Sequence, residues 1–102
     1  NIFINYGSRE EIIHSFKKII NSYPKEEITE EIISNNLFTK NIPDPDILIR
    51  TSGEKRISNF LLWQLSYTEL FFSETLWPDF KTIDYLEIIL EFQKRHRRYG
   101  GL

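Results

Sequence analysis

The chain has 102 residues, 40% of them hydrophobic and 27% charged, with a formal net charge of -2, the balance of a single folded domain and not of a disordered tail. It has no cysteine, which excludes disulfide staples and cysteine-ligated zinc, and aromatic residues at 15% supply bulk for a core without either. The acidic balance also argues against a nucleic-acid partner.

The apolar run Phe60 to Leu65 is interrupted by Gln64 and falls far short of the ~20 residues that cross a bilayer. No signal-peptide pattern opens the chain. A cytoplasmic protein is expected, with peripheral membrane contact left open. The sequence lacks Ala, Val and Met and holds sixteen Ile, a bias that suggests an AT-rich coding genome and carries no functional content. Because it opens on Asn1-Ile2-Phe3-Ile4-Asn5 without a Met, it reads as a fragment.

In chain order, Ile2, Phe3 and Ile4 form a short β-branched and aromatic run closed by Asn5-Tyr6-Gly7, which predicts a buried strand and a turn. Ser8 with Glu11 matches a capping box, and Ile12, Ile13, Phe16, Ile19 and Ile20 recur at helical spacing until Tyr23-Pro24, predicting a helix with that stripe toward the core. Residues 26 to 36 carry a second, shorter helical pattern. Pro43-Asp44-Pro45 forces an extended approach into Asp46-Ile47-Leu48-Ile49-Arg50, a second buried strand. Thr51-Ser52-Gly53 reads as a turn, and Ser58 can cap a helix holding Phe60, Leu61, Leu62, Trp63 and Leu65. Leu70-Phe71-Phe72 is a third short strand, and after Trp77-Pro78-Asp79-Phe80 a last helix is expected from about Thr82 to Arg97. Strands separated by helices predict an α/β fold, a parallel sheet with helices on both faces.

Open α/β sheets bind ligands beyond the carboxyl ends of their strands, so the segment after Ile49 is the first candidate site. There Arg50, Arg56 and Ser58 combine two guanidinium forks with a helix start, donors that suit a diphosphate better than a single carboxylate. An alternative stands beside this: Glu54 can neutralise the arginines as a surface ion pair, and Ser58 can be only a cap. Glu69 is the one charge between Asn59 and Phe72. A carboxylate amid aromatic surface should find a partner or a cation, magnesium being suitable because it takes one or two carboxylates plus phosphate oxygens; the alternative is a solvated residue at a strand end. The tail from Lys94 to Arg98 is basic enough to stabilise a helix C-terminus or to serve as an anion-binding arm. Neither His14 nor His96 belongs to a metal-spaced cluster, and nucleophile-elbow serines, Walker loops and dinucleotide fingerprints are absent.

The run from Asp46 to Phe72, DILIRTSGEKRISNFLLWQLSYTELFF, with Leu76-Trp77-Pro78-Asp79-Phe80 after it, closely resembles the C-terminal signature of cis-prenyltransferases, the undecaprenyl diphosphate synthase family. Asn5-Tyr6-Gly7-Ser8-Arg9 resembles the family's preceding strand-turn motif, which usually has a second Gly where Ser8 stands. Arg97-Arg98-Tyr99-Gly100-Gly101-Leu102 resembles its ending. The resemblance spans essentially the whole chain and covers the C-terminal part of a single cis-prenyltransferase domain over residues 1–102. The N-terminal part, with its Asp-Gly-Asn-Arg-Arg-Trp segment, is not in this sequence.

The resemblance implies Mg²⁺-dependent cis-prenyl elongation, in which isopentenyl diphosphate is condensed with an allylic diphosphate to build a long Z-polyprenyl diphosphate such as the undecaprenyl carrier lipid. It implies that Arg50, Arg56, Ile57 and Ser58 hold the diphosphate of isopentenyl diphosphate and that Glu69 ligates magnesium. It implies also that Arg98 and Gly100 form a tail reaching the neighbouring subunit of a homodimer. Lys55 sits at a variable position and receives no metal role. No catalytic residue falls within these residues, so the chain alone is expected to be inactive. The rival readings are a non-catalytic partner subunit of a prenyltransferase and a phosphate-binding module without chemistry.

Overall fold

The computed structural model describes residues 1–95, which fall into two compact units. The first holds residues 1–43 and 59–63. Its main element is α1, Ser8–Ser22, followed after a 3₁₀ turn at Lys25–Glu27 by α2, Glu30–Asn35. Pro24 and the extended backbone of Ile28 and Thr29 delay the predicted second helix. It starts only where the Thr29 hydroxyl accepts the Ile32 N–H at 3.2 Å, the ordinary N-cap geometry.

α1 begins where expected, but without the capping box. Gly7 is its N-cap and makes no side-chain cap. The orphan N–H groups of a first helical turn need acceptors, and Asn59 supplies them from fifty residues downstream. Its carbonyl accepts from Ser8 N at 2.7 Å and its Oδ1 from Arg9 N at 3.0 Å. A Cβ on Gly7 would lie 3.0 Å from the Asn59 amide nitrogen, so a larger residue would crowd the cap.

The two side chains expected to cap are spent on tertiary bonds. Ser8 Oγ accepts the Leu62 N–H at 2.8 Å. Glu11 accepts the Tyr6 hydroxyl on one oxygen and the Phe38 N–H, at 2.8 Å, on the other. Both residues are fully buried, which a carboxylate tolerates only with such partners. Burial and the Glu11 bond push the Tyr6 hydroxyl up to about 12.

The predicted core stripe of α1 is corrected accordingly. Ser8, Glu11, Ser15 and Ile19 face inward, whereas Ile12, Ile13, Phe16 and Ile20 are exposed. The hydrogen bonds of Glu11 and Ser8 lie on the inward face among the described residues. The predicted strand at Ile2 to Ile4 is also absent: a strand persists only with a ladder partner, and among the described residues the only ladder joins two other segments. Ile2 is left 89% and Ile4 81% exposed. Phe3 packs edge-on against Tyr6 and Phe60 at centroid distances of 4.9 and 5.6 Å.

The second unit holds residues 44–58 and 64 onward. Here β1, Ile47–Arg50, pairs parallel with β2, Glu69–Phe72, in the register Ile47 to Glu69 through Arg50 to Phe72. The strand predictions hold for both, and the α/β class with parallel pairing is the observed one. Thr68 Oγ1 donates to the Pro45 carbonyl at 2.6 Å and Glu69 N to the Asp46 carbonyl at 3.0 Å, starting the ladder. Past the strands, Ser73 N donates to the Arg50 carbonyl at 2.8 Å and Gly53 N to the Ser73 carbonyl at 2.9 Å. The turn this anchors has Ser52 and Gly53 at φ of 70° and 79°, a region costly for residues with a Cβ and free for glycine.

The last helix, α3, covers Thr82–Lys94. Asp84 at its third position accepts the Lys81 N–H at 2.8 Å, and Trp77 stacks on Phe80 in the 3₁₀ turn before it. The predicted run to Arg97 stops short because Arg95 adopts extended backbone, ψ 141°.

Candidate functional site

Arg50 ends β1, so its backbone belongs to the ladder while its side chain stands at the strand's carboxyl end. The turn at 52–53 reverses the chain, and the following loop returns over Arg50. One guanidinium nitrogen, Nη1, donates to the Arg56 carbonyl and, at 2.8 Å, to Ser58 Oγ. The loop closes around a guanidinium. Arg50, the Arg56 main chain and Ser58 are therefore brought together, with half-buried Ile57 between the last two, whereas the expectation from sequence is convergence of the two guanidinium groups.

The Arg56 guanidinium takes a different partner. It pairs with Glu54 at 2.5 Å, and both side chains are exposed. The surface-pair alternative thus describes Arg56, while Arg50 donates to Ser58, whose hydroxyl oxygen is the acceptor of that bond. An exposed pair of this kind is worth about 0–1 kcal/mol, so it holds the Arg56 guanidinium only weakly.

The helix expected from Ser58 does not form. Ser58, Asn59 and Leu61 have φ of 49°, 61° and 46°, incompatible with a right-handed helix, and residues 58–67 run as turns and bends. The reason is tertiary: Asn59 is committed to capping α1, and the Leu62 N–H is committed to Ser8. No helix dipole is therefore available to Arg50 and Ser58 at residue 58.

Glu69 lies elsewhere. It opens β2 opposite Ile47, whereas Arg50 faces Phe72, so the two sit at opposite ends of the ladder, ~10 Å apart along it at ~3.3 Å per residue. Its Oε2 accepts from Arg95 Nη1 at 2.9 Å. Among the described residues no group of three His, Cys, Asp or Glu could cage a metal. One carboxylate fits a magnesium ion that draws its remaining ligands from water and phosphate, as that ion prefers. It does not fit an all-protein cage.

Arg95 is the residue that the sequence reading passed over. Its guanidinium lies 3.9 Å over the Phe71 ring, donates to the Leu70 carbonyl at 3.3 Å, and reaches Glu91 at 4.0 Å. The available signal was Glu69 itself, a lone charge in an apolar run that needed a partner. Arg98 and Gly100 lie outside the described residues. On the side of β1 carrying Ile49 and Thr51, a cavity of about 460 Å³ is lined also by Trp77, Phe80, Lys81, Thr82 and Tyr85. Side chains alternate along a strand, so Arg50 does not share it. No helix among the described residues is long and apolar enough to cross a membrane.

Residues 1–100 match the family model described as "Putative undecaprenyl diphosphate synthase". The chain is 53% identical over 100 residues to an isoprenyl transferase of Aquifex pyrophilus, covering 98% of this chain and 43% of that protein. It is 52% identical over 105 residues to a tritrans,polycis-undecaprenyl-diphosphate synthase (geranylgeranyl-diphosphate specific) of Pyrococcus furiosus, covering 98% and 40%. Among solved structures, lavandulyl diphosphate synthase from Lavandula x intermedia, in complex with dimethylallyl diphosphate, superposes with a TM-score of 0.89 at 38% identity, over 95% of this chain and 44% of that one. The chain spans less than half the length of these relatives.

Proposed function

The chain belongs to the undecaprenyl diphosphate synthase family, and from that premise we propose that it forms the isopentenyl-diphosphate-binding part of a cis-prenyltransferase. The enzyme condenses isopentenyl diphosphate with an allylic diphosphate into a long Z-polyprenyl diphosphate of the undecaprenyl type. The observation that carries this reading is the convergence of Arg50 and Ser58 at the carboxyl end of a parallel strand, 2.8 Å apart.

The residues have separable tasks. Arg50 and Ser58 bind phosphate oxygens of isopentenyl diphosphate by charge-assisted and hydroxyl hydrogen bonds. Arg56 exchanges Glu54 for the same diphosphate, and Ile57 packs the loop between them. Fixing the diphosphate fixes the homoallylic double bond against the allylic carbon, so that much of the rate gain is positional. Glu69 would hold magnesium, and the bound ion would supply Lewis-acid neutralisation of diphosphate charge. The enzyme is a homodimer in which Arg98 and Gly100 reach toward the neighbouring subunit. Its product draws it to membrane surfaces.

The test is Arg56→Ala in the intact protein, read by steady-state kinetics against isopentenyl diphosphate. The KM should rise by roughly 10- to 100-fold, the loss of one charge-assisted anchor. An unchanged KM would remove Arg56 from the site.

A further inference from the structure

We propose that Arg95 is the positioning residue for the Glu69 carboxylate, holding it in one orientation as a preset single-carboxylate ligand for a divalent cation. The inference rests on the reading of Glu69 as the magnesium ligand and adds the residue on which that role depends.

Three contacts besides Glu69 hold the guanidinium in place. Its central carbon lies 3.9 Å from the Phe71 ring centroid, the Nη1 that bonds Glu69 also donates to the Leu70 carbonyl at 3.3 Å, and Glu91, one helical turn back, stands 4.0 Å from its Nε. A guanidinium stacked and bonded in this way does not follow a mobile carboxylate; the carboxylate follows it. Phe71 and Leu70 are in β2, and α3 ends at Lys94, just before Arg95. Two regular elements therefore set the position of the fork.

The arrangement engages Glu69 by one oxygen, Oε2, at 2.9 Å. A carboxylate has a second oxygen that this bond does not use, and the Glu69 side chain retains 23% of its exposure. Arginine also competes with a cation for the carboxylate. The competition is moderated because its charge is shared with Glu91 and the Leu70 carbonyl, leaving orientation as its larger effect. Hydrogen-bonded partners of this kind typically change metal affinity 10- to 100-fold when removed. A lysine would keep the charge without the planar stack or the fixed fork.

The experiment titrates the intact protein with Mn²⁺ alone, following free Mn²⁺ by electron paramagnetic resonance, for the wild type, Glu69→Gln, Arg95→Ala and Arg95→Lys. Thermal melts and the KM for isopentenyl diphosphate are measured alongside. Glu69→Gln should abolish the site. Arg95→Ala should weaken Mn²⁺ 10- to 100-fold, and Arg95→Lys should recover only part of that loss. A rise in KM for Glu69→Gln and Arg95→Ala that tracks the loss of Mn²⁺ affinity supports the proposal, since a cation held by Glu69 takes its remaining ligands from water and phosphate. Loss of Mn²⁺ binding in Glu69→Gln with unchanged or tighter binding in Arg95→Ala would overturn the positioning role while leaving the metal reading intact. Wild-type binding in Glu69→Gln would overturn both. If Arg95→Ala does not fold, Arg95→Lys decides: wild-type Mn²⁺ affinity refutes the proposal, and a fivefold or greater loss at an unchanged melting temperature supports it.

Discussion

Arg50 and Ser58 are joined by a 2.8 Å hydrogen bond from the guanidinium to the hydroxyl, made by the same nitrogen that donates to the Arg56 carbonyl. One planar fork thus holds the loop before any diphosphate arrives, and a fork can bind loop and phosphate at once where a point charge cannot. Arg50→Lys should therefore raise the KM for isopentenyl diphosphate roughly 10-fold or more, since a charge-assisted hydrogen bond is worth about 1.5–3 kcal/mol. Kinetics at constant ionic strength measure it; a KM within twofold of wild type would show that the charge alone suffices.

Glu54 acts on the same site with the opposite sign. Its carboxylate occupies the Arg56 guanidinium at 2.5 Å, so under the proposed function a diphosphate displaces it. Glu54→Gln should lower the KM for isopentenyl diphosphate by up to about fivefold, the ceiling set by the ~1 kcal/mol of an exposed pair. The melting temperature should barely move, and the gain should shrink as salt screens the wild-type pair. Measuring KM at low and high ionic strength tests both statements together.

The fully buried Glu11 carboxylate holds the Tyr6 hydroxyl and the Phe38 N–H. Removing it leaves two donors without that acceptor, each unsatisfied buried group costing about 1–3 kcal/mol. Glu11→Ala should thus destabilise the protein by about 2–4 kcal/mol in chemical denaturation. Glu11→Gln keeps one acceptor oxygen and should cost roughly half as much. Equal stability of all three proteins would contradict the network.

The contrast between what was and was not legible follows from the range of the interactions. β1, β2 and α3 could be read because apolar runs between Pro and Gly punctuation and helical spacing are local. Arg50 and Ser58 could be read as partners because they flank one turn. The capping box at Ser8 and Glu11 misled because its residue types fit equally well a role in tertiary bonding, and the actual cap, Asn59, lies fifty residues away. The helix at Ser58 failed for the same reason, since Asn59 and Leu62 are held by α1 in a backbone with positive φ at Ser58, Asn59 and Leu61. Arg95 as the partner of Glu69 required knowing that α3 ends at Lys94 against β2. Only the need for some partner was visible beforehand.

Tyr6 supplies a pH-dependent handle on the Glu11 network. Its hydroxyl is raised to about 12 by burial, and next by donation to Glu11, whose carboxylate would face a phenolate as like charge. A tyrosine in the unfolded chain titrates near ~10. Below that pH both states keep the proton and the stabilisation is fully present. Between about 10 and 12 the unfolded chain loses its proton while the folded one retains it, so the unfolded state binds fewer protons and stability falls as pH rises. Tyr6→Phe removes this slope together with the bond to Glu11. The variant should be less stable than wild type at pH 8, and the difference should narrow steadily above pH 10. Denaturation midpoints at pH 8, 10 and 11 measure it, and a gap that stays constant across that range would show that Tyr6 titrates alike in both states.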